Sequence, residues 1–319
     1  MDVGVPNENS LLTVSLLIPS YGRHDDVKRC LESIACSIHD DFQLEAVVLT
    51  DHYDADVCLA LSRNGATVIN SGHKLPLSES RNYLVKQSTG EIIIFLDDDN
   101  IIGPTLVRDL VTTLRARDDV CMTGPLMFYS SEPQRLWCSG VSRSRYLLRT
   151  NRLRYQLHDF DIPGDKNSDD FPNCFAIRRT EFEAIGGFNT THFPFAYSEA
   201  DLTNRLQQRT GKKVLITPSA VTFHNVNPSL HRQLHLSGSN TNAAYNYAYC
   251  RCIFTVLYGS TLQWIMYLLL GQWLFAVVYV VASVQARSDT LRMIRGYFWG
   301  MWKGLLSFPK LRRFRVLRG

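Results

Sequence analysis

Residues 91–100 read Glu-Ile-Ile-Ile-Phe-Leu-Asp-Asp-Asp-Asn. Five apolar residues, three of them β-branched, run straight into three carboxylates. A continuous apolar run of this length predicts a strand buried on both faces, as in a parallel sheet covered by helices. Such sheets bind ligands beyond the carboxyl ends of their strands, so the acids fall where a ligand sits. Adjacent Asp side chains repel one another unless something positive neutralises them. Their hard oxygens suit Mg2+ or Mn2+ shared with substrate phosphates. An acidic turn capping the next helix is the plainer alternative. The buried strand and the Gly90 turn before it favour the cation.

The preceding residues repeat one pattern. Leu11 to Pro19 predicts a buried strand stopped by Pro19, and Ser20-Tyr21-Gly22-Arg23 a turn. Asp25 or Asp26 is suited to cap a helix to about Ile38, with Val27, Leu31 and Ile34 on one face. A second strand covers Glu45 to Thr50, a short helix Val57 to Asn64, and a third strand Thr67 to Asn70. A helix from Ser78 to Gln87 then leads into the strand at 91–96. Alternating β and α elements predict an α/β fold with a doubly wound, mostly parallel sheet. No Gly-x-Gly-x-x-Gly follows the first strand and no Gly-x-x-x-x-Gly-Lys-Ser/Thr occurs, which disfavours a dinucleotide site and a P-loop.

Five motifs in order carry a resemblance: Ile18-Pro19-Ser20-Tyr21-Gly22-Arg23; Ser80-Arg81-Asn82; the strand ending in Asp97-Asp98-Asp99; Asn173 to Arg179 with Ile185-Gly186-Gly187-Phe188-Asn189; and Tyr197-Ser198-Glu199-Ala200-Asp201-Leu202 with a later strand ending at His224. Together they resemble a family 2 glycosyltransferase of the GT-A fold over roughly residues 12–255. Within that family the likeness is to glycan-assembly enzymes of the rhamnosyltransferase-like kind. The resemblance implies transfer of a sugar from a nucleoside diphosphate (UDP, dTDP or GDP) to a hydroxyl of a lipid-linked or glycan acceptor, with inversion and a divalent ion, Mg2+ or Mn2+.

It also implies roles. Pro19, Tyr21 and Arg23 fall at the nucleotide, and Asp51 at the base, with Thr50 where the family has a second acid. Arg81 falls near the diphosphate, where a guanidinium can hold phosphate oxygens with paired hydrogen bonds. Asp97 and Asp99 correspond to the family's Asp-x-Asp. Asp99 is then the main metal ligand, with Asp97 and Asp98 toward ribose or metal-bound water and His224 as a further ligand. Glu199 corresponds to the general base, with Ser198 replacing the first acid of the pattern. Asp201, two residues on, does not share its helix face and reads as a structural partner near the helix start. Asn173 is assigned to the acceptor or to structure.

The eight Cys form no Cys-x-x-Cys pair and read as reduced thiols. Met1 to Ser10 carries no apolar signal-peptide core. The net charge of +4 hides an asymmetry: residues 287–319 hold nine Lys/Arg and one Asp, a balance of +8 that leaves −4 for residues 1–286. Between them, residues 252–286 carry no Asp, Glu, Lys, Arg or His, and Leu262 to Val284 is long enough to span a bilayer. The tail alternates basic and apolar groups, as in a helix lying in an anionic leaflet. A single span places tail and catalytic part on opposite sides, whereas a hairpin or re-entrant pair keeps both cytoplasmic, as the positive-inside rule prefers. The basic segment Arg143 to Arg154 carries five Arg and no acid and reads as a long loop near the acceptor. Nucleic acid is its rival ligand, but no nucleic-acid module accompanies it.

The expected organisation is a catalytic domain at 1–250, with a nucleotide half at about 11–125 and an acceptor half at about 126–250. Residues 251–319 follow as apolar membrane helix or hairpin plus basic tail, placing the protein at the cell membrane with its catalytic domain cytoplasmic. Two rivals are a sugar nucleotidyltransferase and a non-catalytic membrane scaffold on the same fold. Ser20-Tyr21-Gly22-Arg23 suits the first poorly; Thr50 and Ser198 are the best support for the second.

Overall fold

The computed structural model of the chain describes residues 11–39, 41–51, 55–148, 150–153, 155, 157–161, 164–226, 241–285 and 290–307. The N-terminal ten residues, His52, Arg149, Arg154 and the basic run from residue 308 lie outside the described residues.

The first half alternates as the pattern predicts: β1 (Thr13–Pro19), α1 (His24–Ala35), β2 (Gln43–Thr50), α2 (Ala55–Ser62), β3 (Ala66–Asn70), α3 (Leu77–Lys86) and β4 (Ile92–Leu96). Neither Asp25 nor Asp26 caps α1. Arg23 holds the cap position without a side-chain bond, and both acids lie in the first turn, where the amide dipoles favour them. There follow β5 (Asn100–Ile102), α4 (Leu106–Ala116), β6 (Val120–Tyr129), β7 (Glu132–Cys138), β8 (Gly140–Arg143), β9 (Thr150–Leu153), a 3-10 turn at Leu157–Phe160, β10 (Cys174–Arg178), α5 (Arg179–Ala184), α6 (Ser198–Thr210) and β11 (Lys213–His224).

Among the described residues, nine strands form one sheet in the order β3-β2-β1-β4-β10-β6-β11-β5, with β7 added on β6. β1, β2, β3 and β4 are mutually parallel. β10 lies antiparallel between β4 and β6, and β5 antiparallel to β11. β7 is likewise antiparallel to β6, so the expected sheet is parallel in the main, with three reversed strands. Every residue of β4 and β6 is buried. Phe95 of β4 packs against Phe175, Phe182 and Phe188 at ring separations of 5.1, 5.5 and 5.2 Å.

Topology now places the motifs. β1, β2 and β4 end at one edge of the sheet. β10, being reversed, begins there with Asn173 just before it, and β11, parallel to β6, ends there at His224. The strand order turns back on either side of β1 and β4, the crevice in which open α/β sheets bind ligands.

Beyond the sheet lie α7 (Thr241–Tyr258), α8 (Thr261–Met266), a π-helical turn at Tyr267–Gly271, α9 (Gln272–Gln285) and α10 (Thr290–Leu306). The expected boundaries at 125/126 and 250/251 fall inside β6 and α7. Thr261–Val281 is long and apolar enough to cross a membrane, and only 28% of its apolar window is buried. Leu269, Trp273 and Val277 of this stretch, and Val284 just after it, are more than half exposed, as are Leu291, Trp299 and Trp302 of α10. α10 folds back along α7 at very close range. A Cβ on Gly300 would lie 2.3 Å from the Tyr245 carbonyl oxygen, and one on Gly304 2.7 Å from Cys252 Cβ. Trp273 and Tyr279 of α9 meet Phe298 and Tyr297 of α10 at 5.9 and 5.4 Å.

Candidate active site

The carboxylates after β4 each meet a different partner. Asp97 Oδ1 accepts from Arg81 Nη2 at 2.9 Å. Asp98 Oδ2 accepts from Ser20 Oγ at 2.7 Å, and its Oδ1 from Arg23 Nη1 at 3.1 Å. Asp99 Oδ2 accepts from the same Arg23 nitrogen at 2.7 Å, and its Oδ1 lies 3.3 Å from His224 Nε2. Three neighbouring acids are thus divided among two guanidiniums and an imidazole, which relieves their mutual repulsion.

Their ionisation differs accordingly. Burial pushes the Asp98 carboxyl up to about 7, against the pull of Arg23 and Ser20. Burial also raises Asp97, and Arg81 only partly offsets it. Burial acts on Asp99 in the same direction, but the bond to His224, the charge of His224 and Arg23 outweigh it, and Asp99 lies below its usual value. Asp99 is therefore the one of the three whose surroundings favour the charged form beyond the usual carboxylate.

Asp99 and His224 supply a carboxylate oxygen and an imidazole nitrogen to one point, at 12% and 6% side-chain exposure. That donor pair fits a divalent ion that completes its shell with phosphate oxygens and water. Asp97, expected beside them, is drawn instead to Arg81, and among the described residues no three His, Cys, Asp or Glu side chains converge as a metal cluster. Asn173, at a left-handed φ of +66°, places its side-chain nitrogen 3.0 Å from His224 Nε2, and the Trp137 ring packs edge-on against the imidazole at 4.6 Å.

Arg81 is completely buried. Its Nη2 serves Asp97 and its Nη1 serves Glu199 in the first turn of α6. Its guanidinium carbon lies 5.4–5.9 Å from the rings of Phe188, Phe95 and Phe175. Arg81, expected at the diphosphate, has both terminal nitrogens on carboxylates; it joins the acids after β4 to the expected base. Glu199 Oε2 also accepts from Ser198 Oγ at 2.8 Å.

Asp201 is fully buried and faces elsewhere. It binds Arg205 Nε and Nη2 at 2.8 and 2.6 Å and accepts from Tyr258 Oη at 2.5 Å. In the turn after β1, Tyr21 meets Ser80 Oγ of α3 through its hydroxyl, and Lys74 Nζ lies 5.4 Å from its ring. Asp51 lies half-buried just after β2, and Pro19 ends β1.

The sequence model for glycosyl transferase family 2 matches residues 15–186, more than half of the chain and the part that holds Ser20, Arg23, Arg81 and the three acids after β4. The chain belongs to glycosyl transferase family 2. Among its relatives in that comparison of sequences, an uncharacterized protein, y4gI, of Sinorhizobium fredii is 24% identical over 68% of this chain and 25% of its own length. An uncharacterized protein of Haemophilus influenzae is 32% identical over 33% of this chain and 60% of its own. An uncharacterized glycosyltransferase of that organism is 32% identical over 34% of this chain and 36% of its own. The family 2 chain thus spans from a quarter to 60% of the length of these relatives. Two solved structures share the fold. The mannosyltransferase PcManGT of Pyrobaculum calidifontis, in complex with GDP-Man and Mn2+, has a TM-score of 0.58 at 15% identity, over 92% of this chain and 86% of that one. GalNAc-T7 with UDP, GalNAc and Mn2+ has a TM-score of 0.57 at 17% identity, over 76% and 51%. The sheet is that of the GT-A fold.

Sequence reasoning on this family 2 chain passed over Ser20, Asp170, Tyr197 and Arg251. Ser20 braces Asp98. Asp170, buried beside Arg143 at 2.7 Å, lies close enough to Glu199 to feel its charge, and burial pushes it up to about 6. Its Asp169-Asp170 doublet closed the acidic run that follows the basic segment, and read only as part of the long segment near the acceptor. Tyr197 and Arg251 carried no local signal, because their relation exists only across the fold.

Proposed function

We propose that the chain is an inverting, metal-assisted glycosyltransferase that moves a sugar from a nucleoside diphosphate to a hydroxyl of a lipid-linked or glycan acceptor. The observation that carries this reading is Glu199, tied through Arg81 to Asp97 at the end of β4. A carboxylate on one helix thereby stands beside the acids where the GT-A fold takes its donor.

In this reading Tyr21 and Asp51 receive the base and ribose, and Asp98 the sugar or ribose hydroxyls. The acceptor hydroxyl approaches Glu199, which takes its proton as the oxygen attacks the anomeric carbon. The carbon–oxygen bond to the diphosphate breaks on the opposite face, and one displacement inverts the centre. A divalent ion, Mg2+ or Mn2+, held by Asp99 and His224 with the diphosphate oxygens would supply charge neutralisation to the leaving group. Arg81 keeps Glu199 and Asp97 in register, and Arg23 is free to leave Asp99 for a phosphate because it is half exposed.

The membrane reading is supported by the exposed apolar surface of α8, α9 and α10. α7 docks on the catalytic part and α10 packs along α7, so the chain returns to the catalytic side after its apolar stretch. We take the apolar helices as a hairpin embedded in the cytoplasmic leaflet of the cell membrane, with lipid-linked acceptors delivered to Glu199 from that side.

Thermal stabilisation of the detergent-solubilised chain by a panel of UDP, dTDP and GDP sugars with Mn2+ tests the donor. Release of the nucleoside diphosphate from the stabilising donor tests catalysis. A donor that binds but is never cleaved, with or without added lipid extract, would leave a binding protein and end the transferase reading.

A further inference from the structure

Glu199 leaves the chain two residues after Tyr197, and Tyr197 is held in a conformation that its side chain disfavours. Its φ is +61° and it occupies the cap position of α6. A bulky residue stays in the left-handed region only where its surroundings over-determine it. The restraint comes from α7. Arg251 Nε donates to Tyr197 Oη at 2.9 Å, and the Phe254 ring packs on the Tyr197 ring at 5.3 Å. Arg251 in turn lies with its guanidinium carbon 3.6 Å from the centre of the Phe275 ring of α9. Two turns further along α7, Tyr258 donates to Asp201 on the buried side of α6.

We propose that Arg251 is a positioning residue for the base: with Tyr197 it forms a clamp by which the apolar C-terminal helices fix the direction of Glu199. This rests on Glu199 being the base. The hydroxyl of Tyr197 makes no use of the donor edge, where Asp97, Asp98 and Asp99 are held by other residues, so the clamp acts on transfer and not on donor binding. Because Phe275 belongs to the apolar stretch, the seating of α9 bears on the same guanidinium. The helices that meet the membrane are thereby part of the catalytic apparatus.

The test uses the full chain in detergent and follows nucleoside diphosphate release from the donor chosen by stabilisation, with GDP-mannose and UDP-GalNAc as the first probes. Tyr197→Phe removes one oxygen and keeps the ring on Phe254. It should lower kcat about 10-fold with donor KM unchanged, since misplacing a reacting group by about 1 Å can cost up to ~100-fold. Arg251→Gln should lower kcat at least as far, since it also loses the Phe275 contact, and the double variant should fall no further than Arg251→Gln alone, because Tyr197→Phe removes only a hydrogen bond already lost. Arg251→Lys, which keeps a cation and a donor, should recover part of the loss. If Arg251→Gln fails to fold, Tyr197→Phe still decides. Full activity in Tyr197→Phe, or a donor KM that rises as kcat falls, overturns the clamp. Glu199→Gln is measured alongside. A Glu199→Gln chain with normal turnover removes the base assignment and the clamp with it. Loss in Glu199→Gln together with normal turnover in Tyr197→Phe and Arg251→Gln removes the clamp alone.

Discussion

Arg81 and Glu199 are 118 residues apart in the chain and share a buried ion pair. The arginine has no exposed surface, and its second terminal nitrogen is spent on Asp97. A cation in that position cannot reach solvent to discharge its field, so it holds the two acids in fixed relation to each other. The catalytic reading of Glu199 and the donor reading of Asp97 are joined in this one side chain.

Glu199→Gln keeps the size of the side chain and can still accept from Arg81, but it does not take a proton at neutral pH. Transfer turnover should fall by roughly 10²–10⁴-fold with donor affinity unchanged. Steady-state rates and donor titration on the same preparation check both halves. Asp201→Asn, which touches Arg205 and Tyr258 and not Glu199, should act on the melting temperature first.

Arg81→Met should destabilise the fold by about 3–5 kcal/mol, because two carboxylates lose a buried partner. Arg81→Lys keeps the charge, yet its single ammonium does not reproduce a fork directed at two acids. It should retain more stability than activity. Urea unfolding set beside turnover separates the two losses; equal retention of both by the lysine variant would count against the bridging role.

Asp99→Asn and His224→Ala should each weaken Mn2+-dependent binding of a nucleoside diphosphate while leaving metal-free melting within a few degrees of the parent chain. Asp97→Asn should affect that binding less, since Asp97 faces Arg81. Calorimetric titration of GDP or UDP with and without Mn2+ gives the comparison. Unchanged Mn2+ dependence in both Asp99→Asn and His224→Ala would place the ion elsewhere.

Asp170 predicts a pH effect. Its folded value is raised by burial from 3.8 to about 6, so the folded state binds its proton more tightly than the unfolded chain. The stability this lends is fully present below 3.8 and is lost as the pH rises through 6. A gap of about two units amounts to about 3 kcal/mol. Asp170→Asn should flatten the fall in unfolding free energy between pH 4 and 7 by a comparable amount, read from urea midpoints across that range.

The exposed apolar face of the π-helical turn and α9 predicts a lipid effect. Leu270→Lys and Val277→Lys lie on exposed positions, so neither should lower the melting temperature in detergent by much. Each should reduce co-sedimentation with anionic vesicles, since a lysine deep in the bilayer costs about 2.5–3.5 kcal/mol. Full sedimentation of the double variant would move the membrane contact to another surface.

The sequence by itself determined the elements whose signal is local. The apolar run at 92–96 could only be a doubly buried strand, and the alternation before it set the order β1 to β4 and the edge at which Asp97, Asp98 and Asp99 emerge. The apolar stretch after residue 260 announced itself through composition alone. Tertiary structure decided what depends on distance along the chain. It reversed β10 between β4 and β6, which brought Asn173 to the edge. It brought β11 alongside β5, so that His224 met Asp99. It buried Arg81 under three rings and set it between Asp97 and Glu199. It also laid α10 back on α7 through Gly300 and Gly304, and set Arg251 against Tyr197. The physical reason is the same in each case. Strand and helix periods are written in neighbouring residues, whereas an ion pair or a helix contact is chosen by which distant surfaces can desolvate together, and no window of sequence contains both partners.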